Sequence, residues 1–486
     1  LLLAGWAVLA SRGVVNNDAI EYMQASRDLR HYDSEFHPPL YPVAIAFLTY
    51  FARDEFLAAK LVSLMSGIAL VVLTGRLGRR CLGSSEVGLL GAALVAVSPL
   101  VIVYSAMPMS DMMGAALFLL ALVSVADIDG RAIRPAAMAG VACGLAYLTR
   151  YVCVAALVGA IAYVLVLPGL PLRRRVVLAG TLCSTFLVTV APWFAINFAR
   201  HGNLHNDNHV NVAVGMFECP NWNCFDDYKR RYPSVMSLVL AHPRDFVRHV
   251  AKNVFHFPQE VVLRCGLAGG FLALPGLILA LHKPAVPRLA LCFLGAPFFV
   301  LTMMTWYEER FFLPLLPVIL SCGAFFCVRG LAPRLDVYWP GAGQALAARV
   351  PIRVTCIAAT VMVSGVAALG EVRSAVAASN VDDELAAADF LRRNTPSSTR
   401  VLSINPRIAW YAERPYVSMI DPTASNEERL RATGADVFVF TGRHVKPFPQ
   451  LEYLLHPEDE RVPTSFRLIY QRAGAHPIAI YDIRAH

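Results

Sequence analysis

Charge is scarce in this 486-residue chain: 16% of the residues are charged against 56% hydrophobic, and the mean hydropathy is +0.51. That balance excludes a water-soluble fold, whose surface would have to be built largely from apolar side chains. Internal repeats and low-complexity tracts are also missing, which weighs against transporters assembled from duplicated halves. No A-x-A cleavage pattern follows the first apolar residues, so residues 1–10 are expected to be the tail of a truncated membrane anchor and not a signal peptide. What the chain does have is a series of apolar runs. Residues 56–74, 87–104, 176–198, 263–281, 311–328 and 354–369 are close to the ~20 residues that carry a helix across a hydrocarbon core.

Basic residues set the topology, because short Lys/Arg-rich loops stay in the cytoplasm. Arg76, Arg79 and Arg80 form one such cluster, Arg131 and Arg134 a second, and Arg173, Arg174 and Arg175 a third. Lys283 with Arg288, and Arg329, Arg334, Arg349 and Arg353, complete the set. Taken alternately these loops share one face, which predicts a polytopic all-α membrane protein of about eleven spans. The segments 112–126 and 136–149 are short for a bilayer. The net charge of +8 is thereby a topology signal, and no nucleic-acid partner is expected. The opposite face carries residues 14–37, 106–111, Arg150, 200–260, 306–310 and everything after Glu371.

Nine of the eleven cysteines lie in or beside spans, where Cys behaves as a small apolar residue. Cys219 and Cys224 instead flank a polar stretch on the non-cytoplasmic face, where a disulfide between them is expected and two unpaired thiols are the alternative. His201, His205 and His209 are near in sequence, but a zinc site needs four ligands, and a merely polar loop is the simpler reading.

Composition changes at Glu371, dividing the chain into a transmembrane domain over residues 1–373 and a small α/β domain over residues 374–486. Residues 382–393 repeat apolar positions at helical spacing, and residues 427–432 read as helix. Short β-type runs follow at residues 400–404, 416–419, 436–441, 466–471 and 478–483. This domain has no phosphate-binding glycine loop. It reads as a non-cytoplasmic accessory domain that helps shape an acceptor site. Gly140 and Gly144, four apart in an apolar run, read as a close helix contact.

Chemistry is sought where ionisable groups gather at helix mouths. Ile20, Met23 and Leu29 recur near helical spacing, so the stretch containing Asp18 and Glu21 reads as an amphipathic interfacial helix capped by Asn16, Asn17 or Asp18. Asp111 ends the next external turn, at the mouth of a span. Each Asp alone fits a helix cap. As a pair on one face they fit a general base and a cation or metal ligand, since carboxylates against hydrocarbon are costly. Arg150 and Arg310 sit at the same depth and can grip a lipid phosphate, with snorkelling as the bland alternative. Lys252 and Arg264 are weaker candidates of the same kind. Tyr307 and Glu309 flank Arg310 on the same short segment, and His37 and Tyr41 follow the first helix.

The Asp18 helix followed by His37-Pro38-Pro39-Leu40-Tyr41-Pro42 resembles the first periplasmic loop of GT-C-fold glycosyltransferases. The relatives in question are bacterial ones of the protein O-mannosyltransferases and of the lipid A aminoarabinose transferase. The resemblance extends, in order, over residues 108–122, 144–150, 195–202 and 309–317, and so spans most of residues 1–330. It implies a polyprenyl-phosphate-linked sugar as donor and transfer to a glycan, lipid or protein acceptor on the periplasmic face. It also implies a multi-pass protein of the bacterial inner membrane with a periplasmic C-terminal domain. The family's first-loop catalytic or metal-associated carboxylate falls on Asp18, and its later acidic residue on Asp111. Some members carry an adjacent Asp-Glu pair, whereas Ala19 follows Asp18 here, which sets the chain apart from the O-mannosyltransferases proper.

On this reading Asp18 deprotonates the acceptor, Arg150 or Arg310 meets the donor phosphate, and configuration inverts. Glu21, His37, Tyr41, Tyr307 and Glu309 line the substrate site, and a divalent metal held by Asp18 and Asp111 is a further option. The alternatives are a polysaccharide ligase or polymerase, and a lipid-linked-sugar transporter or flippase.

Overall fold

The structure is a computed structural model and describes residues 5, 7, 10, 13, 17–32, 37–128, 132–204, 209–217, 225–264, 266–281, 297–305, 308–331, 352–378, 381–419, 433–445, 449–474 and 476–484. It divides into two compact units. The larger contains residues 1–11, 22–216 and 232–377, and the smaller contains residues 12–21, 217–231 and 378–486.

The first helices with described bounds are α1 (Asn17–Arg27), α2 (Leu40–Ala52) and α3 (Glu55–Cys81). Arg53 ends α2 in the left-handed conformation, with φ of 57°. Asp54 then caps α3 by accepting from the Leu57 amide at 3.0 Å, which reverses the chain in two residues. Next come α4 (Ser85–Ala96) and α5 (Pro99–Ala106), which the sequence presents as one apolar run. They are separate helices bent by 57°, because the Pro99 ring drives Ser98 into extended backbone with ψ of 127°. The helices α6 (Ser110–Ala126), α7 (Arg134–Thr149), α8 (Val154–Leu165) and α9 (Leu172–His201) follow.

Nearly every side chain of α6 is buried, so its 17 residues form a central post of the larger unit. Glycines bring α7 against α9: a Cβ on Gly140 would fall 2.2 Å from the Leu182 carbonyl oxygen, and one on Gly144 would fall 2.7 Å from Thr189 Cβ. The close helix contact expected of these glycines is thereby seen. After α9 come α10 (His209–Phe217), α11 (Phe225–Arg231), α12 (Val235–Ala241), α13 (Pro243–Arg264), α14 (Gly266–Ala280), α15 (Leu316–Phe326) and α16 (Ile352–Ala378). The apolar run at residues 311–328 begins with a 3-10 turn, Glu309–Phe312, and is regular α-helix only from Leu316.

Among the described residues three helical stretches are long and apolar enough to cross a membrane: Glu55–Cys81, Leu172–His201 and the part of α16 from Val361 onward. The bent α4–α5 pair makes a fourth if counted as one span, and four further apolar helices are shorter. The two ends of the bundle differ in chemistry. At one end Arg76 and Arg80, in the last turns of α3, pair with Asp127 just beyond α6; the Arg80 contact is 3.1 Å. At the other end Ser63, near the start of α3, donates to the Met109 carbonyl just ahead of α6 at 3.1 Å. The arginine cluster and the mouth of α6 therefore lie at opposite ends of the same two helices.

The smaller unit contains a five-stranded sheet. Its strands are β1 (Val401–Ser403), β2 (Tyr416–Ser418), β3 (Val437–Thr441), β4 (Arg467–Arg472) and β5 (Ile478–Asp482), in the order β2-β1-β3-β5-β4. β1 pairs in parallel with β2 and β3, while β5 is antiparallel to β3 and β4. The helices α17 (Asp382–Asn394) and α18 (Arg407–Tyr411) accompany it. Alternate residues of β3 serve two cores. Val437 and Val439 pack with Ala387, Ala388, Leu391 and Ile408 from the helices, and Phe438 and Phe440 pack with Leu451, Leu454 and Tyr481. Residues 427–432, expected to be helical, lie outside the described residues, as do Cys219 and Cys224.

Candidate active site

The mouth of α6 gathers polar side chains from four elements of the larger unit. Asp111, in the first turn of α6, is 3% exposed, and Arg150, which ends α7, places Nη1 2.5 Å from its Oδ1. The other carboxylate oxygen, Oδ2, is buried and accepts no hydrogen bond among the described residues. Arg150 stays there because α7 breaks at it: its backbone is extended, at φ −151° and ψ 123°, and a 3-10 turn follows. Gly114, one turn into α6, leaves room for the arginine, since a Cβ there would meet Arg150 Cδ at 3.1 Å.

Beside this ion pair the Tyr22 hydroxyl lies 2.7 Å from Ser110 Oγ and 3.0 Å from His37 Nδ1. Tyr22 is thereby a bolt between α1, the His37 turn and α6. Tyr41 packs edge-on against the Tyr22 ring at 5.0 Å, and its own hydroxyl donates to the Ala59 carbonyl at 3.0 Å. The sequence reading places Tyr41 on the wall of a substrate cavity, whereas the structure places it fully buried between α2 and α3, bracing Tyr22. His37 keeps a partly exposed edge, and its carbonyl accepts from the Tyr32 hydroxyl at 2.6 Å. Tyr32 stacks on Trp193 of α9 at 6.0 Å, and the Trp193 indole donates to the Tyr151 hydroxyl at 3.1 Å. Glu308 and Arg310 form an ion pair on the Glu309–Phe312 turn. Tyr104 of α5 lies within electrostatic reach of Asp111, Glu308, Glu309 and Arg310, which brings that turn to the same end of the bundle as Asp111. Tyr307 lies outside the described residues.

Asp18 and Glu21 occupy the first two turns of α1, and Tyr22 follows Asp18 at i+4 on the same helix face. The division between the two units falls within this helix, after Glu21. Within the smaller unit, Glu21 lies in electrostatic reach of Tyr416 on β2.

Three groups at the α6 mouth carry no assigned role in the sequence reading. Tyr22 and Ser110 are ordinary residues whose significance appears only when α1 and α6 meet. Lys60 had a signal: it is the only lysine ahead of Lys229, and it falls in an apolar run. It is 4% exposed, in the second turn of α3, with Nζ 4.7 Å from the Phe56 ring centre.

Asp111 Oδ1 is taken by a guanidinium, whose positive charge opposes a second cation beside it, and no group of three His, Cys, Asp or Glu assembles among the described residues. The arrangement suits anion chemistry instead. A guanidinium retains free donors after pairing with one carboxylate oxygen, and Lys60 and Arg310 add charge at the same end.

Residues 36–196 match the family model described as dolichyl-phosphate-mannose-protein mannosyltransferase. Comparison with curated proteins yields no match. Among solved structures the chain is similar to ArnT from Cupriavidus metallidurans bound to undecaprenyl phosphate. The TM-score is 0.64 at 16% identity, over 99% of this chain and 97% of that one. It is also similar to the archaeal oligosaccharyltransferase AglB from Archaeoglobus fulgidus in complex with an inhibitory peptide and a dolichol-phosphate. There the TM-score is 0.58 at 14% identity, over 91% of this chain and 69% of that one. Another structure of the Archaeoglobus fulgidus oligosaccharyltransferase, a complex with Zn and sulfate, gives a TM-score of 0.57 at 15% identity, over 91% of this chain and 68% of that one. These likenesses establish the GT-C fold that the first-loop motif implies.

Proposed function

We propose that this protein is an integral-membrane glycosyltransferase that moves a sugar from a polyprenyl-phosphate donor to an acceptor at the non-cytoplasmic face. The buried Asp111–Arg150 pair at a helix mouth, inside a GT-C fold, is the observation that carries the reading. The family match over residues 36–196 and the lipid phosphates bound by ArnT and AglB support the donor class.

In the proposed reaction Asp18 removes the proton from the acceptor's nucleophilic atom. That atom attacks the anomeric carbon from the side opposite the phosphate, so configuration inverts. The bond from the anomeric carbon to the phosphate oxygen breaks, and polyprenyl phosphate leaves with the electron pair. Arg150, aimed by Asp111, meets the developing phosphate charge, and Arg310 and Lys60 contribute to the same field. A phosphate needs no proton to leave. Tyr22 fixes the part of α1 that belongs to the larger unit against α6. The smaller unit is the periplasmic accessory domain in this proposal and shapes the acceptor side, where Glu21 lies.

Asp18→Asn tests the assignment. Removing a general base should lower transfer by about 10²–10⁴-fold with normal membrane insertion. Full activity in Asp18→Asn would sink the base assignment. A lipid-linked-sugar flippase would instead show unchanged lipid translocation in the same variant.

A further inference from the structure

The helix α13 (Pro243–Arg264) has three faces of different chemistry. Toward the bundle it turns His249 and Asn253, both buried. His249 Nε2 donates to the Thr305 carbonyl at 2.9 Å, and the Asn253 amide donates to the carbonyls of Met303 and Thr305, each at 2.8 Å. One turn on, Phe257 stacks on Phe312 with ring centres 4.9 Å apart. The second face is apolar and open. Val247, Val254 and Phe255, at i, i+7 and i+8, are 65%, 39% and 82% exposed, and α12 just before adds Met236 and Leu240. On the third face Arg244, Arg248, Lys252 and His256 repeat at a strict i, i+4 spacing, and all are exposed. Among the described side chains of the helix Asp245 is the one acid, 3.6 Å from Arg248 and 3.7 Å from His242.

An apolar strip flanked by a ladder of cations is mismatched to water and to the bilayer interior alike. It matches the boundary between them, where the strip enters the acyl chains and the cations meet phosphates. We propose that α12 and α13 lie in the plane of this boundary and bind the headgroups of anionic phospholipids through Arg244, Arg248 and Lys252. The core face of the same helix holds the backbone at Met303 and Thr305, just ahead of the Glu309–Phe312 turn, so the lipid-bound helix is also a strut for that turn. The binding does not depend on the reaction proposed above.

The test uses the full chain in bilayers, with Phe255→Trp read as the difference from the unsubstituted protein. Lipids brominated in the upper acyl chain should quench the added tryptophan. Brominated phosphatidylglycerol should quench at least about threefold more effectively than brominated phosphatidylcholine at equal mole fraction, because each interfacial cation is attracted to an anionic surface. Arg244→Gln/Arg248→Gln/Lys252→Gln in the same background should abolish the preference while leaving quenching itself in place. Absence of quenching by either lipid would place the helix in water, and equal quenching by both in the parent would remove the headgroup site; either result overturns the proposal.

Discussion

At the scale of single residues, the account turns on a buried ion pair. Asp111 is held out of water and Arg150 is partly so; removing Arg150 leaves a lone buried carboxylate, a change that typically costs about 3–5 kcal/mol. Arg150→Gln alone should therefore lower the thermal midpoint measurably. Asp111→Asn/Arg150→Gln together should recover most of the stability, yet not transfer, because the anion-binding donor is gone. Equal activity of the double variant and the parent would remove Arg150 from the phosphate site. Tyr22→Phe removes one hydroxyl from Ser110 and His37 and should cost about 1–3 kcal/mol, since it strands buried polar groups. Transfer should fall with it if the hydroxyl sets the height of α1; single-turnover rates against donor concentration would show this as a lower maximal rate.

Residue-level legibility was uneven for a physical reason. Asp111, Arg150, Glu309 and Arg310 stood out because ionisable groups at apolar helix ends are costly, and the structure gathers them at one end of the bundle. Tyr22 and Ser110 carry no such cost in sequence, and their hydrogen bond, 88 positions apart in the chain, exists only once α1 and α6 are packed. Tyr41 follows a polar loop in the sequence, and in the structure it is buried with its hydroxyl used between two helices.

At the scale of elements, the packing of α7 on α9 depends on the absence of side chains. Gly144→Ala would drive a Cβ to 2.7 Å from Thr189 Cβ, an overlap that costs about 1–3 kcal/mol when the helices cannot separate. Because Arg150 ends α7, the same change should also weaken donor binding; a stability loss without any change in donor affinity would separate the two effects. Strands of the smaller unit were readable almost to their bounds, since β-branched and aromatic runs between Pro and Asn turns leave little choice, as at Val437–Thr441. The apolar run at residues 87–104 was not, because hydropathy does not register the steric demand that Pro99 places on Ser98.

The smaller unit also contains a titration that can be followed by itself. Burial, with the Arg407 and Arg443 charges beside it, drags the His444 imidazole down to about 4. The Asn405 amide donates to its Nε2 at 2.7 Å, a contact that suits the neutral ring. An unfolded histidine takes up its proton near 6.5, so between about 6.5 and 4 the unfolded chain binds more protons than the folded one. Stability of this unit is then full above about 6.5 and declines as pH falls, by up to roughly 1.4 kcal/mol per pH unit. Hydrogen exchange of the β3 amides across that window should show the decline, and His444→Gln should flatten it.

At the scale of the whole molecule, two facts combine. The bundle is polar in different ways at its two ends, with arginines against Asp127 at one and the Asp111 mouth at the other. Its fold is that of membrane enzymes solved with lipid phosphates bound. The position of Arg76 and Arg80 at the end away from Asp111 follows the pattern of the loop charges. Short helices such as Ser110–Ala126 are buried inside the bundle and need not match bilayer thickness.

The central claim is that a lipid-linked sugar is consumed at the Asp111 end of this bundle. Mass spectrometry of polyprenyl-phosphate-linked sugars in membranes of a strain lacking the protein tests it most directly. One such species should accumulate, return to the parental level with the intact protein, and stay high with Asp18→Asn. An unchanged pool of every lipid-linked sugar, with surface glycans also unchanged, would contradict the account.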